Sequence, residues 1–290
     1  MHRKTRAGLF FLLPGVVWIL AFTLFPLIFS LGLSFTNRRL GRETRFIGLE
    51  NYGNILNDIR VADTIFTSAF FAVGGLLLTL ILGTFIAWLF NHDIPGLRVF
   101  RSILTMPMFA APIAVGFLGI TLFNEQNGPV NNIIAALGFE RVGWFIEPTA
   151  ARIAVLIIDT WQWTPFVFIV VLAAMQGIPD ELYEAARLDT ASEWMLFWRI
   201  TLPLILPSMG TVALLRLVET FKILDIPLAM LGGGPGSATT TYSYYAFLNG
   251  TAQRGFRMGY ASALAYLLVV VAIIISSIYF WRMRHRFEID

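Results

Sequence analysis

Six long apolar stretches constrain the fold of this chain more than any other feature of its sequence. A helix that crosses a bilayer needs about 20 mostly apolar residues, and each stretch is long enough. They cover residues 9–35, 64–90, 102–123, 151–175, 202–225 and 261–281. Because backbone polar groups inside lipid must be satisfied within the protein, we predict an all-α, polytopic membrane protein with six transmembrane helices.

The order of the apolar stretches predicts how the chain is divided. We expect a cytoplasmic N-terminus, a first transmembrane helix with an external loop, a five-helix core that contains a cytoplasmic loop, and a cytoplasmic C-terminus. Their bounds are 1–8, 9–35 with 36–63, 64–281 with the loop at 179–203, and 282–290. The first apolar run exceeds the ~7–15 residues of a signal-peptide core, which favours a retained helix.

Basic residues at the two ends of the chain predict its orientation. Three precede the first apolar stretch and three follow the last: Arg3, Lys4, Arg6, Arg282, Arg284 and Arg286. An even number of spans puts both ends on one side, and the positive-inside rule makes that side the cytoplasm. Lys and Arg are almost equally frequent in the inner and outer segments overall, so the orientation depends on the termini and on the loop at 179–203.

The composition excludes several classes of function. Only 13% of the residues are charged, and the net charge of +3 is too small to indicate a nucleic-acid partner. The chain has no cysteine, which excludes disulfides and thiolate ligands. Its three histidines are His2, His92 and His285. They are too scattered to form a metal cluster, so we expect no metal on this chain.

Motifs for nucleotide binding and catalysis are also absent. A phosphate-binding loop requires a lysine after glycine, whereas Lys4 follows an arginine and Lys222 follows a phenylalanine. Neither the zinc motif H-E-x-x-H nor the nucleophile motif G-x-S-x-G occurs. These absences argue against an enzyme and against a pump that hydrolyses ATP on its own.

The loop between the fourth and fifth stretches has the pattern of two short helices. Asp180 and Glu181 suit the positive end of a first helix, and Thr190 with Glu193 is a capping-box pattern that starts a second. The loop is acidic, which opposes binding to an anionic lipid surface. A protein partner is the better interpretation, and the small side chains of Ala185 and Ala186 would let it approach closely.

This loop resembles the EAA loop of binding-protein-dependent ABC importer permeases. The resemblance lies in Glu184-Ala185-Ala186 and in the spaced residues Asp189, Ala191, Phe197, Ile200, Leu202, Pro203 and Pro207. It implies a coupling segment that docks on an ATPase subunit through Glu184, Ala185, Ala186, Asp189, Thr190 and Ala191. The family usually has glycine where this chain has Thr190, which affects the local turn rather than the docking.

Other segments extend the resemblance to the maltose-type carbohydrate permeases. They are LLPGVVWILAFTLFPLIFSLGLSFTN near the start, FIGLENY at 46–52, the run at 232–235, and Arg101, Pro107, Pro112, Phe123, Asn124, Gly128 and Asn131. The family's TGGGP reads LGGGP here, with Leu231 in place of threonine. The resemblance implies the type I ABC importer permease fold and a sugar or sugar derivative as the solute.

The fourth apolar stretch contains the best candidate for a sugar site. Asp159, Gln162, Trp163 and Phe166 are spaced i, i+3, i+4, i+7, which places them on one helix face. Polar groups inside a membrane are costly and usually functional, and aromatic rings suit the C–H face of a pyranose. Alternatively, the polar pair binds a neighbouring helix and the rings only pack.

The resemblance supports the sugar interpretation, because that family's sugar-contacting positions on this helix correspond to the same four residues. On the fifth stretch they correspond to Thr220, Ile223 and Leu224. The same stretch carries Arg216, Glu219, Lys222 and Asp225. These charges either pair with one another, for instance Glu219 with Lys222 or Arg216, or bind an anionic sugar, and the sequence leaves both open.

Together these features predict an inner-membrane permease subunit of an ATP-binding-cassette importer. An external binding protein would deliver the sugar, and alternating access would be driven by ATP and Mg on two partner ATPase subunits, with no cofactor on this chain. The resemblance also implies a second permease chain, in a heterodimer. The alternatives are an importer permease for a non-sugar solute and an ion-coupled secondary transporter, although the latter usually shows internal repeats that are not seen here.

Overall fold

The computed structural model describes residues 2–92, 96–189 and 192–287 of this chain, and the described part is built of helices. Five helices are long and apolar enough to cross a bilayer: Phe11–Ser34, Ile59–Phe90, Pro148–Gln176, Glu193–Phe221 and Met258–Arg282. A bent pair, Leu97–Phe109 with Pro112–Leu122, makes up to six spans. The prediction of an all-α protein with about six spans is therefore confirmed.

The chain runs through fourteen α-helices within the described residues. Helices α1 (His2–Ile19) and α2 (Phe25–Ser34) are joined by a π-helical turn and form the first span. The remaining helices are α3 (Glu50–Leu56), α4 (Ile59–Phe90), α5 (Leu97–Thr105), α6 (Pro112–Leu122), α7 (Pro129–Ala136), α8 (Pro148–Gln176), α9 (Asp180–Asp189), α10 (Glu193–Leu196), α11 (Leu202–Phe221), α12 (Asp225–Leu231), α13 (Tyr242–Gly250) and α14 (Met258–Phe287).

The third span is not the single straight helix that the stretch at 102–123 predicts. Its two halves meet at 102°, and Ala110 and Ala111 between them have extended backbone. Pro112 explains the extended Ala111, because the residue before a proline is disfavoured in the helical region. The bend leaves the carbonyl of Ala110 free of a helical partner, and this carbonyl becomes part of the candidate site.

The fifth span begins nearer the N-terminus than the stretch at 202–225 predicts. Helix α10 continues through a π-helical turn, Phe197–Thr201, directly into α11, so that Glu193–Phe221 is one continuous rod. The rod ends at Phe221, and Asp225 starts the separate helix α12. The second half of the loop predicted at 179–203 is therefore the base of a transmembrane span.

The chain forms two compact units, and the first holds the part up to Val61 together with Tyr245–Val271. In this unit the carboxylate of Asp58 accepts hydrogen bonds from the hydroxyls of Tyr245 (2.5 Å) and Tyr260 (2.9 Å). Burial alone would raise the pKa of Asp58, but these bonds and the nearby charge of Arg60 hold that pKa below its usual value. The stabilisation of the folded state by ionised Asp58 is fully present above the pKa of about 4 that this group has in the unfolded chain. It is lost as the pH falls through the lower pKa of Asp58 in the folded state.

The second unit holds Ala62–Tyr244 and the residues after Val271, and its core is built around α8. Buried residues of α8 near its start, such as Val155 and Ile158, pack with Ile226 and Met230 of α12. Further along α8 a second cluster joins it to α4 and α11, with Val167, Phe168, Val171, Ala87 and Val212 among its members. Helix α8 thus packs against α4, α11 and α12, and these neighbours hold its side chains in place.

Gly116 permits a close contact between two helices of this unit. A Cβ atom on Gly116 of α6 would lie 2.5 Å from the Cβ of Ala229 in α12, well inside van der Waals contact. We expect Gly116→Leu to lower the free energy of unfolding of the isolated subunit by about 3 kcal/mol or more, because the two helices must separate. Thermal unfolding in detergent measures this.

Gly15 in the first span provides the matched control, since no atom lies within 4 Å of where its Cβ would stand. Gly15→Leu should change the free energy of unfolding by no more than about 0.5 kcal/mol. Equal losses in the two variants would show that α6 and α12 do not pack as described.

Candidate functional site

The candidate site is centred on one face of α8. Asp159 and Gln162 are each only 2% exposed, whereas Trp163 and Phe166 are partly exposed. The two rings stand perpendicular, with their centroids 6.1 Å apart. The four residues predicted from their spacing therefore do share a face, whose polar members are buried and whose aromatic members remain accessible.

A buried ion pair lies beneath the aromatic rings. Arg216 of α11 donates to the carboxylate of Asp159, and both side chains are almost completely buried. The guanidinium carbon of Arg216 also lies 5.2 Å from the ring centroid of Trp163, a distance at which a cation is attracted to an aromatic face. Asp159 thus makes the inter-helix pair that the sequence left open as an alternative.

Helix α4 closes the third side of this ion pair. A Cβ atom on Gly75 would lie 3.0 Å from the carboxylate of Asp159 and 3.2 Å from the guanidinium of Arg216. Only a residue without a side chain fits this contact without displacing the pair. Three transmembrane helices, α4, α8 and α11, therefore meet at a single pair of charges.

Two polar atoms on this face have no hydrogen-bond partner within the described residues. The amide nitrogen of Gln162 donates to the carbonyl of Ala110 at 3.0 Å, but its oxygen Oε1 is buried and unpaired. The same is true of Nε of Arg216. Buried polar atoms are nearly always paired in native proteins, so these two atoms are exceptions that the described residues do not satisfy.

The predicted contact residues around the end of α11 are less accessible. Thr220 is fully buried, and its hydroxyl donates to the carbonyl of Arg216 at 2.7 Å. Ile223 belongs to the apolar core, and Leu224 is partly exposed. Lys222 pairs with Glu219 at 2.7 Å on the surface, so these two charges neutralise each other.

The predicted coupling segment has the two-helix form that the sequence indicates. Glu184 and Ala185 of α9 are exposed, Ala186 is partly buried, and Asp189 ends the helix. Thr190 and Ala191 lie outside the described residues, as does half of the predicted capping box. Helix α10 is capped by Ser192, whose side chain accepts from the backbone of Met195 at 3.4 Å.

Sequence reasoning missed several polar contacts of this segment. Glu193, the first residue of α10, pairs with Arg187 at 3.3 Å and lies 3.9 Å from the ring of His92. The hydroxyls of Tyr183 and Thr201 are 2.9 Å apart. Ser192 immediately before Glu193 was a usable capping signal, whereas nothing local indicates the contact with His92.

Comparisons with known proteins identify a family and several relatives of this chain. A family model described as a binding-protein-dependent transport system inner membrane component matches residues 75–285. A permease of the trehalose/maltose transport system of Thermococcus litoralis is 33% identical over 247 residues, 85% of this chain and 84% of that protein. A permease of the sulfoquinovosyl glycerol transport system of Agrobacterium fabrum is 31% identical over 265 residues, 91% and 83% of the two chains.

A solved structure has the same fold. A chain of a bacterial alginate ABC transporter, determined with a periplasmic protein that holds an alginate pentasaccharide, superimposes with a TM-score of 0.84. The alignment covers 96% of this chain and 93% of that chain at 24% identity. At this identity the likeness supports the fold alone, and it confirms the predicted type I ABC importer permease architecture.

The buried ion pair generates a stability prediction. Arg216→Met and Asp159→Asn should each lower the free energy of unfolding by about 3–5 kcal/mol, because the remaining polar partner stays buried and unsatisfied. The double variant should recover most of the loss. Thermal unfolding of the detergent-solubilised subunit measures all three.

Lys222→Met breaks the exposed pair with Glu219 and serves as the control. It should cost no more than about 1 kcal/mol, since exposed ion pairs contribute little. A double variant as unstable as the sum of the two single variants would contradict the pairing of Asp159 with Arg216.

Proposed function

The chain belongs to the family of binding-protein-dependent transport system inner membrane components, and from this premise we propose that it is the permease subunit of an ATP-driven importer for a sugar or sugar derivative. Membership confirms the resemblance drawn from the sequence and the role of a multi-pass transport subunit rather than an enzyme. It also implies ATPase and substrate-binding protein partners.

The observation that carries the sugar proposal is the face of α8. Two perpendicular, partly exposed rings, Trp163 and Phe166, stand beside the unpaired oxygen of Gln162. A sugar matches both features, because its C–H faces suit the aromatic rings and its hydroxyls suit the polar atoms. The two relatives named for trehalose/maltose and sulfoquinovosyl glycerol transport support a sugar or sugar derivative.

The proposed contact residues are those predicted from the sequence: Asp159, Gln162, Trp163, Phe166, Thr220, Ile223 and Leu224. Their accessibility suggests different roles. The rings of Trp163 and Phe166 would touch the sugar directly, whereas Asp159 would act mainly by holding Arg216 in place. Arg216 is paired with Asp159 and Lys222 with Glu219, so each of these two cations has a carboxylate partner.

The proposed mechanism is alternating access in a complex of several chains. A second permease chain would complete the cavity in a heterodimer, and two ATPase subunits would hold ATP and Mg and grip the coupling segments. Both termini of this chain would lie in the cytoplasm. The binding protein would deliver the sugar to external loops that include residues 46–52 and 231–241, and closure of the ATPases would open the cavity toward it.

Two neighbouring tryptophans of α8 test the sugar site. Trp161 and Trp163 are two positions apart on α8, which places them on different faces of the helix, and the ring of Trp163 contacts Arg216. Trp163→Ala should lower ATP-driven sugar uptake by roughly tenfold, since one stacked ring contributes about 1 kcal/mol or more. Uptake is measured in proteoliposomes containing the complete complex.

The matched control is Trp161→Ala, which removes an exposed ring of the same size and should leave uptake within about twofold of the unsubstituted complex. If Trp161→Ala and Trp163→Ala reduce uptake equally, the face of α8 defined by Trp163 is not the sugar site.

The coupling role of Glu184 is tested by charge reversal. Glu184→Lys places a cation on the exposed face of α9 and should reduce co-purification of the ATPase by roughly tenfold, a loss of about 1.4 kcal/mol in binding. Glu43→Lys in the predicted external loop is the control and should have no effect. Normal ATPase recovery and full transport with Glu184→Lys would refute the docking role.

A further inference from the structure

The rod Glu193–Phe221 connects the coupling segment with the candidate site. Its first residues belong to α10, and it passes without a break into α11, which carries Arg216 and Thr220 close to its other end. A displacement of α10 is therefore transmitted along a continuous helix to the ion pair. Helix α4 is not continuous with the coupling segment in the sequence. Among the described residues, side chains make the contacts between them.

An aromatic cluster joins the end of α4 to the base of the rod. The ring of Trp88 lies 5.9 Å from that of Trp194 and 6.0 Å from that of Phe197, in edge-to-face arrangements. Trp194 and Phe197 are stacked on each other at 6.1 Å. Such aromatic pairs contribute beyond the area they bury, so they attach the two elements firmly.

Charged groups reinforce the same junction. The carboxylate of Glu193, the first residue of the rod, lies 3.9 Å from the ring nitrogen Nε2 of His92, just beyond α4. The other ring nitrogen of His92 lies 3.0 Å from the carbonyl of Trp88, which fixes the ring. Arg187 of α9 binds the same carboxylate at 3.3 Å, so Glu193 connects α4, α9 and the rod.

A second junction between α4 and the rod lies at the candidate site. There Gly75 packs directly against Arg216, with Thr220 also in contact range. Trp88 and Gly75 are 13 positions apart in the sequence of α4, which corresponds to about 20 Å along a helix. Two attachments at this separation prevent α4 from tilting relative to the rod, whereas either alone would act as a pivot.

We propose that Trp88, His92, Glu193, Trp194 and Phe197 form a clamp that makes α4 follow the coupling segment. Given the ATP-driven import proposed above, α4 and the rod move as one body when the ATPases pull on α9 and α10. The ion pair of Asp159 and Arg216 then stays intact, and the sugar-facing side of α8 is carried with it. Trp88 and Glu193 are positioning residues in this device, since neither touches the solute.

Loss of the clamp should separate ATP hydrolysis from transport. In the reconstituted complex, Trp88→Ala should keep ATPase activity that responds to the binding protein but lower the sugar taken up per ATP by roughly fivefold, the factor expected for losing one aromatic contact. A purely structural defect would lower both activities together. Unchanged uptake per ATP would overturn the proposal.

Trp198 supplies the matched control. Its ring contacts Trp194 and Phe197 of its own segment, and about half of the residue is exposed. Trp198→Ala should leave uptake per ATP unchanged. An equal loss in Trp198→Ala and Trp88→Ala would mean that the coupling segment needs its aromatic residues for its own fold and not for holding α4.

A cross-link tests the one-body movement while it keeps the contacts of Trp88 with Trp194 and Phe197. The chain has no cysteine, so His92→Cys with Glu193→Cys can be joined by a short bismaleimide in a complex whose other subunits lack cysteine. The cross-linked complex should retain uptake at about the level of the same variant before cross-linking. Block of uptake by the cross-link, but not by reagent on either single variant, would show that the two elements separate during the cycle.

The readouts distinguish this proposal from the sugar assignment. If the unsubstituted complex hydrolyses ATP in response to its binding protein but moves no sugar, the solute assignment fails. The clamp is then tested by measuring uptake of the solute that, together with the binding protein, stimulates ATP hydrolysis. If sugar is transported normally and the cross-link blocks it, the clamp fails and the proposed function stands.

Discussion

The ion pair of Asp159 and Arg216 is the interaction on which the membrane part of the second unit depends. Charges inside a bilayer are costly unless they are paired, and these two residues lie on different helices, α8 and α11. A third helix can approach only because Gly75 has no side chain. The pair therefore fixes where three helices cross, and it orients Trp163 through the guanidinium that lies against its ring.

Much of the architecture could be predicted from the sequence, because bilayer thickness imposes a length on every span. The α8 face was also predictable, since two polar and two aromatic residues recur at helical spacing between Asp159 and Phe166. Local signals could not predict that Asp159 binds Arg216, because 57 positions separate them and only tertiary packing brings them together. The 102° bend of the third span and the continuity of α10 with α11 were missed for a related reason. Proline indicates an interruption of a helix but not the angle or the path that follows.

In the coupling segment, too, local features could be predicted from the sequence and tertiary contacts could not. Its two helices and its exposed Glu184 follow from composition and from the resemblance, whereas the contacts of Glu193 with Arg187 and His92 depend on how α4 ends. The chain contains no phosphate-binding loop. In the proposed mechanism ATP is hydrolysed on a partner subunit, and the rod with the proposed clamp to α4 would carry the resulting movement to the α8 face.

Uptake by the reconstituted complex tests whether this chain is the permease of an ATP-driven importer. Proteoliposomes containing this chain, its second permease, the ATPases and the binding protein are loaded with ATP or with a non-hydrolysable analogue, and radiolabelled sugar is added outside. Accumulation should require hydrolysable ATP and the binding protein, and it should persist when ionophores dissipate every ion gradient. Accumulation driven by an ion gradient in vesicles that lack the ATPases would contradict the assignment of this chain as an ATP-driven permease.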